Sequence, residues 1–539
     1  MSSRLTRRTV LAAGIGALAA AGTGWAAMAA ETPRTRTRKG VLRGFVRNGA
    51  SVFLGIPYGA STAGERRFLP PTEPAAWSGE RDATQFGQRA PQATMPVASA
   101  ALPVFQYFTG GRYEELRAGG EAMGEDCLVL NVLTPRVDKA GRPVLVYVHG
   151  GGFVGGSGNV MTASDRLVME EDIVVVTVNH RLGALGFLYL GGLSTRFAAG
   201  NVGMLDLVAA LRWVRDNIAE FGGDPDKVTL FGESGGGAKI ALLNAMPQAK
   251  GLFRGVIVQS GLLATPAPPT NDAAASVLRE LELASGDVSK LQAMPVDRLL
   301  GATGPGIATW PVADGMTLKP NPWQEAPSSM LRLPMITGYC ADEATIFSLA
   351  EFAKPLEWHA LLARLSERFA QPEASIAPVV QAYRHAYATA GPVDIYSRML
   401  SDCSFGRDMV HLADLKAKHE ARVYFYRMEY IPPTIRYLRA FHTVELPLVG
   451  RMVVDPNAEA LSRQLAGAWA AFARSADPND AGLPHWPPRP TGGANLMQFS
   501  EASRFGADPQ ATARAALNRL VGDAGRQNLL HPMIPATVR

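Results

Sequence analysis

From Val144 onward the chain alternates between short runs that are apolar at every position and longer stretches that are apolar at every third or fourth. Val144–Val148 and Ile173–Val178 are continuous apolar runs, and Val228–Phe231, Gly255–Gln259, Pro334–Thr337 and Val423–Tyr426 are shorter ones. Strands this apolar on both faces belong in a buried parallel sheet. Between them Met204, Leu207, Val208, Leu211, Val214, Ile218 and Phe221 recur at helical spacing, which predicts an amphipathic helix over 204–220, ended by Gly222-Gly223. Residues 272–300 and 356–420 are mostly helical by pattern, with further helices near 457–475 and 507–522. Ahead of this region Val41–Arg47 and Ser51–Leu54 flank Asn48-Gly49, a two-residue hairpin signal. Residues 55–125 read as loop punctuated by Pro and Gly. Alternating strands and helices predict an α/β fold, doubly wound, around a large and mostly parallel central sheet with helices on both faces. No repeat and no shift in composition marks a linker, so residues 30–539 are expected to form a single domain.

The first 29 residues stand apart. Thr6-Arg7-Arg8-Thr9-Val10-Leu11 leads into a stretch of mostly Ala and Gly, closed by the small-residue site Ala27-Met28-Ala29. These are the parts of a cleavable export signal, and the paired arginines resemble the bacterial twin-arginine address. Cleavage is expected after Ala29 or Ala30, giving an exported protein. A membrane anchor is the alternative, but Ala/Gly-rich segments partition poorly into lipid. Three of the five net positive charges (Arg4, Arg7 and Arg8, with no acid) fall in this leader, so the remainder carries only two. With its basic residues scattered, that remainder predicts no nucleic-acid surface. Hydrophobic residues at 47% exclude a disordered chain. Three cysteines exclude a disulfide scaffold, and no Cys/His spacing fits a structural zinc site.

The sharpest chemical signal is Gly232-Glu233-Ser234-Gly235-Gly236, directly after the strand Val228–Phe231 and before a helical segment from Gly236 to about Asn244. In this strand–turn–helix setting Gly-x-Ser-x-Gly is a nucleophile elbow, with small neighbours that let the serine stand above the sheet edge. The helix turns its free N–H groups toward the reacting oxygen. Upstream, His149-Gly150-Gly151-Gly152-Phe153 leaves the strand Val144–Val148. Consecutive glycines let backbone amides converge on one point, as an oxyanion requires. The amides of Gly151, Gly152 and Gly235 are the candidate donors.

Serine needs a base, and the base an orienting acid. In hydrolases of this design they follow the serine, acid first. Seven histidines lie beyond Ser234. His359, His385, His411 and His419 sit in helical patterns, and His531 is near the terminus. His485 and His442 remain, with His442 favoured by its loop after a strand. Asp342 and Glu343, just past Pro334–Thr337, are equal candidates for the acid.

Beyond these motifs the chain carries Phe53-Leu54-Gly55-Ile56-Pro57-Tyr58, Arg67-Phe68, Glu125-Asp126-Cys127-Leu128-Val129-Leu130-Asn131, Asn179-His180-Arg181-Leu182-Gly183, Gly200-Asn201-Val202-Gly203 and the run Phe221 to Ser234. In these it resembles the type-B carboxylesterases of the cholinesterase and para-nitrobenzyl esterase kind, over nearly the whole mature chain. The resemblance implies an α/β-hydrolase fold and a serine esterase. It also implies Glu343 as the acid, from Asp342-Glu343-Ala344, and His442 as the base, from its place before Glu445-Leu446-Pro447. Three departures stand out. Gly235 occupies a position that is usually Ala, Ala344 one that is usually Gly, and the usual cysteine partner of Cys127, expected near Ala90, is missing. Cys340 and Cys403 are left as a possible pair.

The expected function is two-step acyl transfer on a small-molecule carboxylic ester. It needs no metal or organic cofactor and no membrane insertion after signal cleavage. His442 would act as base once neutral, at a pH of about 6–7. The same groups would serve carbamate, amide or polyester bonds, and a non-catalytic binding protein of this fold is the remaining alternative. Trp77 is a candidate wall of the binding gorge or a structural residue, and Phe105–Phe108 a candidate lid or a packing element.

Overall fold

The computed structural model describes residues 32–530 apart from 94–101, 113–121, 264, 304–309, 353, 453–454 and 480–481. The leader and its cleavage site lie outside the described residues. Fourteen strands form two sheets among the described residues. β1 (Arg34–Thr37), β2 (Gly40–Arg43) and β5 (Glu80–Asp82) make the small one. The large one contains β3 (Phe45–Arg47), β4 (Ala50–Pro57), β6 (Val129–Thr134), β7 (Arg142–Val148), β8 (Val174–Val178), β9 (Gly223–Glu233), β10 (Gly255–Gln259), β11 (Met335–Cys340), β12 (Val423–Met428), β13 (Asn495–Phe499) and β14 (Arg504–Ala507). Its order is β14-β13-β12-β11-β10-β9-β7-β8-β6-β4-β3. The pairs from β8 through β13 are parallel, and those at either edge antiparallel. This is the predicted mostly parallel α/β sheet.

The alternation of side chains along each central strand divides the core in two. Val144, Val146, Leu230, Val256, Val258, Met335 and Val423 pack with the helices Val202–Asn217 and Gly235–Leu243 on one face. Leu145, Tyr147, Phe231, Ile257, Ile336, Tyr424 and Tyr426 pack with the helix Glu459–Ser475 on the other.

Several boundaries differ from expectation. Val41–Arg47 is broken at Gly44, where a Cβ would stand 2.5 Å from the Val52 carbonyl, and its halves enter different sheets. The Asn48-Gly49 turn itself is as predicted, both residues at positive φ. Within 55–125 the structure places β5 and a short helix, Leu102–Phe108. The 272–300 stretch is three helices, Asp272–Glu280, Val288–Ala293 and Val296–Ala302. The 356–420 stretch is four, interrupted by a π-helical turn at Asp402–Gly406.

The order β7-β9-β10-β11-β12 aligns five parallel strand ends along one edge. His149, Ser234, Ser260 and Ala341 immediately follow the first four, and His442 lies in the loop beyond the fifth.

Candidate active site

Ser234 joins β9 to the helix Gly235–Leu243 at φ 56° and ψ −124°, a conformation that L-residues rarely adopt. Its neighbours explain the glycines. A Cβ on Gly232 or Gly236 would come within 2.5 or 2.0 Å of the Val148 carbonyl at the end of β7. The elbow is therefore pressed against the strand that carries the glycine loop. In that loop Gly151 and Gly152 have φ of 85° and 62°. Neither amide donates to another described residue. A Cβ on Gly235 would meet the nitrogen of Gly152 at 2.4 Å and its carbonyl oxygen at 2.3 Å. Gly235 thus lets the two amide-bearing segments approach more closely than an alanine would.

The structure brings one member of each open choice together. Nδ1 of buried His442 donates to Oε2 of Glu343, whereas Asp342 accepts from the Ala440 amide and His485 is exposed. Glu343 opens the 3₁₀ turn Glu343–Ser348. Its Oε1 accepts from the Ser260 hydroxyl and the Cys340 amide, both at 2.7 Å. The rings of Phe405 and Phe347 lie 4.6 and 5.0 Å from the imidazole. The π-helical turn that carries Phe405 is fixed by Asp402, which accepts from Tyr339 and Tyr383.

His442 Nε2, the nitrogen a serine would use, stands 3.1 Å from Oε1 of Glu233 and makes no hydrogen bond to Ser234 or any other described residue. Glu445 is a third buried carboxylate here, accepting from Cys340 Sγ at 2.9 Å, Tyr426 at 3.1 Å and Gln259 at 3.3 Å. Burial alone would push the imidazole toward neutrality, but Glu233 and then Glu343 outweigh it and raise its pKa to about 9. Burial likewise pushes the Glu233 carboxyl well above the usual range, against the pull of His442. The sequence-based expectation of about 6–7 is corrected upward by these carboxylates, whose proximity no local pattern reveals.

Sequence reasoning brought together Ser234, Glu343, His442, Gly151, Gly152 and Gly235, and the structure holds all six at one edge. It did not single out Glu233, Ser260 or Glu445. Ser260 had a signal in its place, since it directly follows β10 beside the nucleophile strand. The three cysteines are buried and none is in a disulfide, so Cys340 and Cys403 are not bridged. Trp77 donates to the Val41 carbonyl and packs against the small sheet, which makes it structural. In Leu102–Phe108, Tyr107 packs on Phe441 and donates to the Val444 carbonyl, bracing the loop that holds His442. Among the described residues no helix is long and apolar enough to cross a membrane.

Comparison with known proteins gives a consistent result. Residues 31–516 match the carboxylesterase family. The chain is 32% identical over 480 residues to a para-nitrobenzyl esterase of Bacillus subtilis, covering 84% of this chain and 91% of that one. It is 33% identical over 484 residues to a phenmedipham hydrolase of Pseudarthrobacter oxydans, covering 84% and 92%. A carboxylesterase of Geobacillus stearothermophilus superposes with a TM-score of 0.74 at 35% identity, over 90% of this chain and 99% of the other. An esterase of Clostridium hathewayi, described as able to hydrolyse aliphatic aromatic polyesters, superposes at 0.78 with 28% identity, over 91% and 99%.

Proposed function

The chain belongs to the carboxylesterase family, and on that premise we propose that it hydrolyses small-molecule carboxylic esters through Ser234, His442 and Glu343. Ser234 Oγ attacks the ester carbonyl while His442 Nε2 takes its proton. Glu343 holds the imidazole through Nδ1 and stabilises its charge. The amides of Gly151, Gly152 and Gly235 receive the oxyanion, each worth about 2.7–4 kcal/mol in transition-state stabilisation. The imidazolium protonates the departing alcohol. Water then attacks the acyl-enzyme by the same route and releases the acid.

One observation carries this reading. The strained Ser234 turn adjoins a loop whose Gly151 and Gly152 amides donate to no described residue, and its neighbour Glu233 lies 3.1 Å from a histidine bonded to a buried glutamate. A p-nitrophenyl ester series on the wild type and on Ser234→Ala tests it, with turnover expected in the first and lost in the second. The Pseudarthrobacter relative is named for phenmedipham and the Clostridium one for polyesters. Phenmedipham and an aliphatic aromatic polyester therefore belong in the same assay, as tests of the carbamate and polyester alternatives.

The leader supports a second part of the proposal, export by the twin-arginine route. Replacing Arg7 and Arg8 together by Lys should hold the protein in the cytoplasm of a bacterial host. Unchanged export would refute that route.

A further inference from the structure

The helix that follows Ser234 is buried along its whole length, and its fifth residue is a lysine. Lys239 is fully buried, lowered by that burial to a pKa of about 7, and no carboxylate among the described residues pairs with it. Its Nζ donates to the His149 carbonyl at 3.0 Å and lies 5.7 Å over the Phe153 ring. The titratable groups facing it are His149 and His180, whose rings stack 4.7 Å apart. Burial holds both neutral, His149 being pushed down to about 3. Each Nδ1 donates to a nearby backbone carbonyl. A buried ammonium without a counter-ion opposes folding, so its position requires a reason beyond packing.

The reason lies in what its two ends connect. Lys239 is one helical turn beyond Gly235, on the element that supplies one candidate oxyanion amide and the serine. His149 is the first residue after β7, where the chain turns into Gly151 and Gly152, the other two donors. We propose that Lys239 is a positioning residue for the oxyanion hole. By donating to the His149 carbonyl it fixes the glycine loop against the nucleophile helix, so that the three amides address one point. Preorganised donors lower the barrier only when they need not be gathered during reaction, so the tether acts on the transition state rather than on substrate binding.

This rests on the roles given to Ser234 and the three amides above, and the experiment separates the two. The full chain is compared as wild type, Lys239→Met and Lys239→Gln. The readouts are kcat and KM on a p-nitrophenyl ester, inhibition by a trifluoromethyl ketone, melting temperature, and mass-spectrometric labelling of Ser234 by a phosphonate. Lys239→Met should lower kcat by about ten- to a hundredfold with KM changed by less than about threefold. Ketone affinity should fall in step with kcat/KM. The melting temperature should hold or rise, because an unpaired buried charge is removed. Lys239→Gln keeps a donor and should retain an intermediate kcat, and it carries the same readouts if the Met variant fails to fold. A wild type labelled at Ser234 with a Lys239→Met kcat within about twofold of it overturns the proposal alone. So does a loss of kcat matched by a fall in melting temperature with ketone affinity unchanged. A wild type that is not labelled at Ser234 overturns the parent reading instead.

Discussion

The Glu233 carboxylate stands 3.1 Å from Nε2 of His442, on the side of the ring that must accept the serine proton. Glu343 holds the opposite nitrogen, so the imidazole lies between two buried carboxylates that come from different strand ends. While Nε2 carries a proton the imidazole cannot act as a base, and Glu233 favours that protonated state.

The sign of the pH dependence follows. The base form is the neutral imidazole, and Glu233 followed by Glu343 raises the His442 pKa to about 9 against the effect of burial. Activity should therefore fall on acidification with a midpoint alkaline of the ordinary histidine value near 6.5. Glu233→Gln removes the leading charge and should move the acid limb of kcat/KM toward lower pH, by about one unit or more. An acid limb that stays in place would show that Glu233 does not set the proton affinity of the base.

Gly235→Ala tests the contact between elbow and loop. The new methyl would meet the Gly152 backbone at 2.3–2.4 Å, so the loop must retreat from the helix. Losing alignment of one donor costs about 2.7–4 kcal/mol, and kcat should drop by roughly a hundredfold or more with little change in KM. Unaltered kcat would mean that the loop tolerates the methyl without moving its amides.

Ser260→Ala leaves the Cys340 amide as the remaining donor to Glu343 Oε1. A hydrogen bond to a charged group is worth about 1.5–3 kcal/mol. Only part of that reaches the transition state, so kcat should fall about tenfold. Stopped-flow measurement of acylation is the check, and an unchanged rate would make Ser260 a bystander.

How much of this was legible in the sequence depended on distance along the chain. The central strands were readable because both of their faces are buried, and β10 matches its prediction residue for residue. β9 begins at Gly223, before the apolar run, because its polar start pairs with Arg142. β6 passed unread, just beyond the Pro/Gly-punctuated stretch that ends at residue 125. It carries Asn131, a polar residue that sequence pattern assigns to loops but that here bonds to Asn159 and Thr177 in the interior. The 272–300 helical stretch broke where Gly286 and Pro295 interrupt it.

The site divides the same way. Ser234, Gly235, Gly151 and Gly152 announce themselves because a turn must be built locally from small residues. The choice between Asp342 and Glu343 rested on resemblance, since two adjacent carboxylates differ only in which way the following 3₁₀ turn points them. Glu233 and Lys239 were silent, because their meaning comes from His442 and His149, more than 80 residues away in sequence.

The central claim is that the Ser234 hydroxyl becomes the acylated atom. The most direct measurement is rapid mixing of excess p-nitrophenyl ester with enzyme, followed by acid quench and peptide mass spectrometry. The account predicts a burst of p-nitrophenol close to one equivalent and an acyl adduct on Ser234, both absent from Ser234→Ala. A burst with the adduct on another residue, or undiminished turnover by Ser234→Ala, would contradict it.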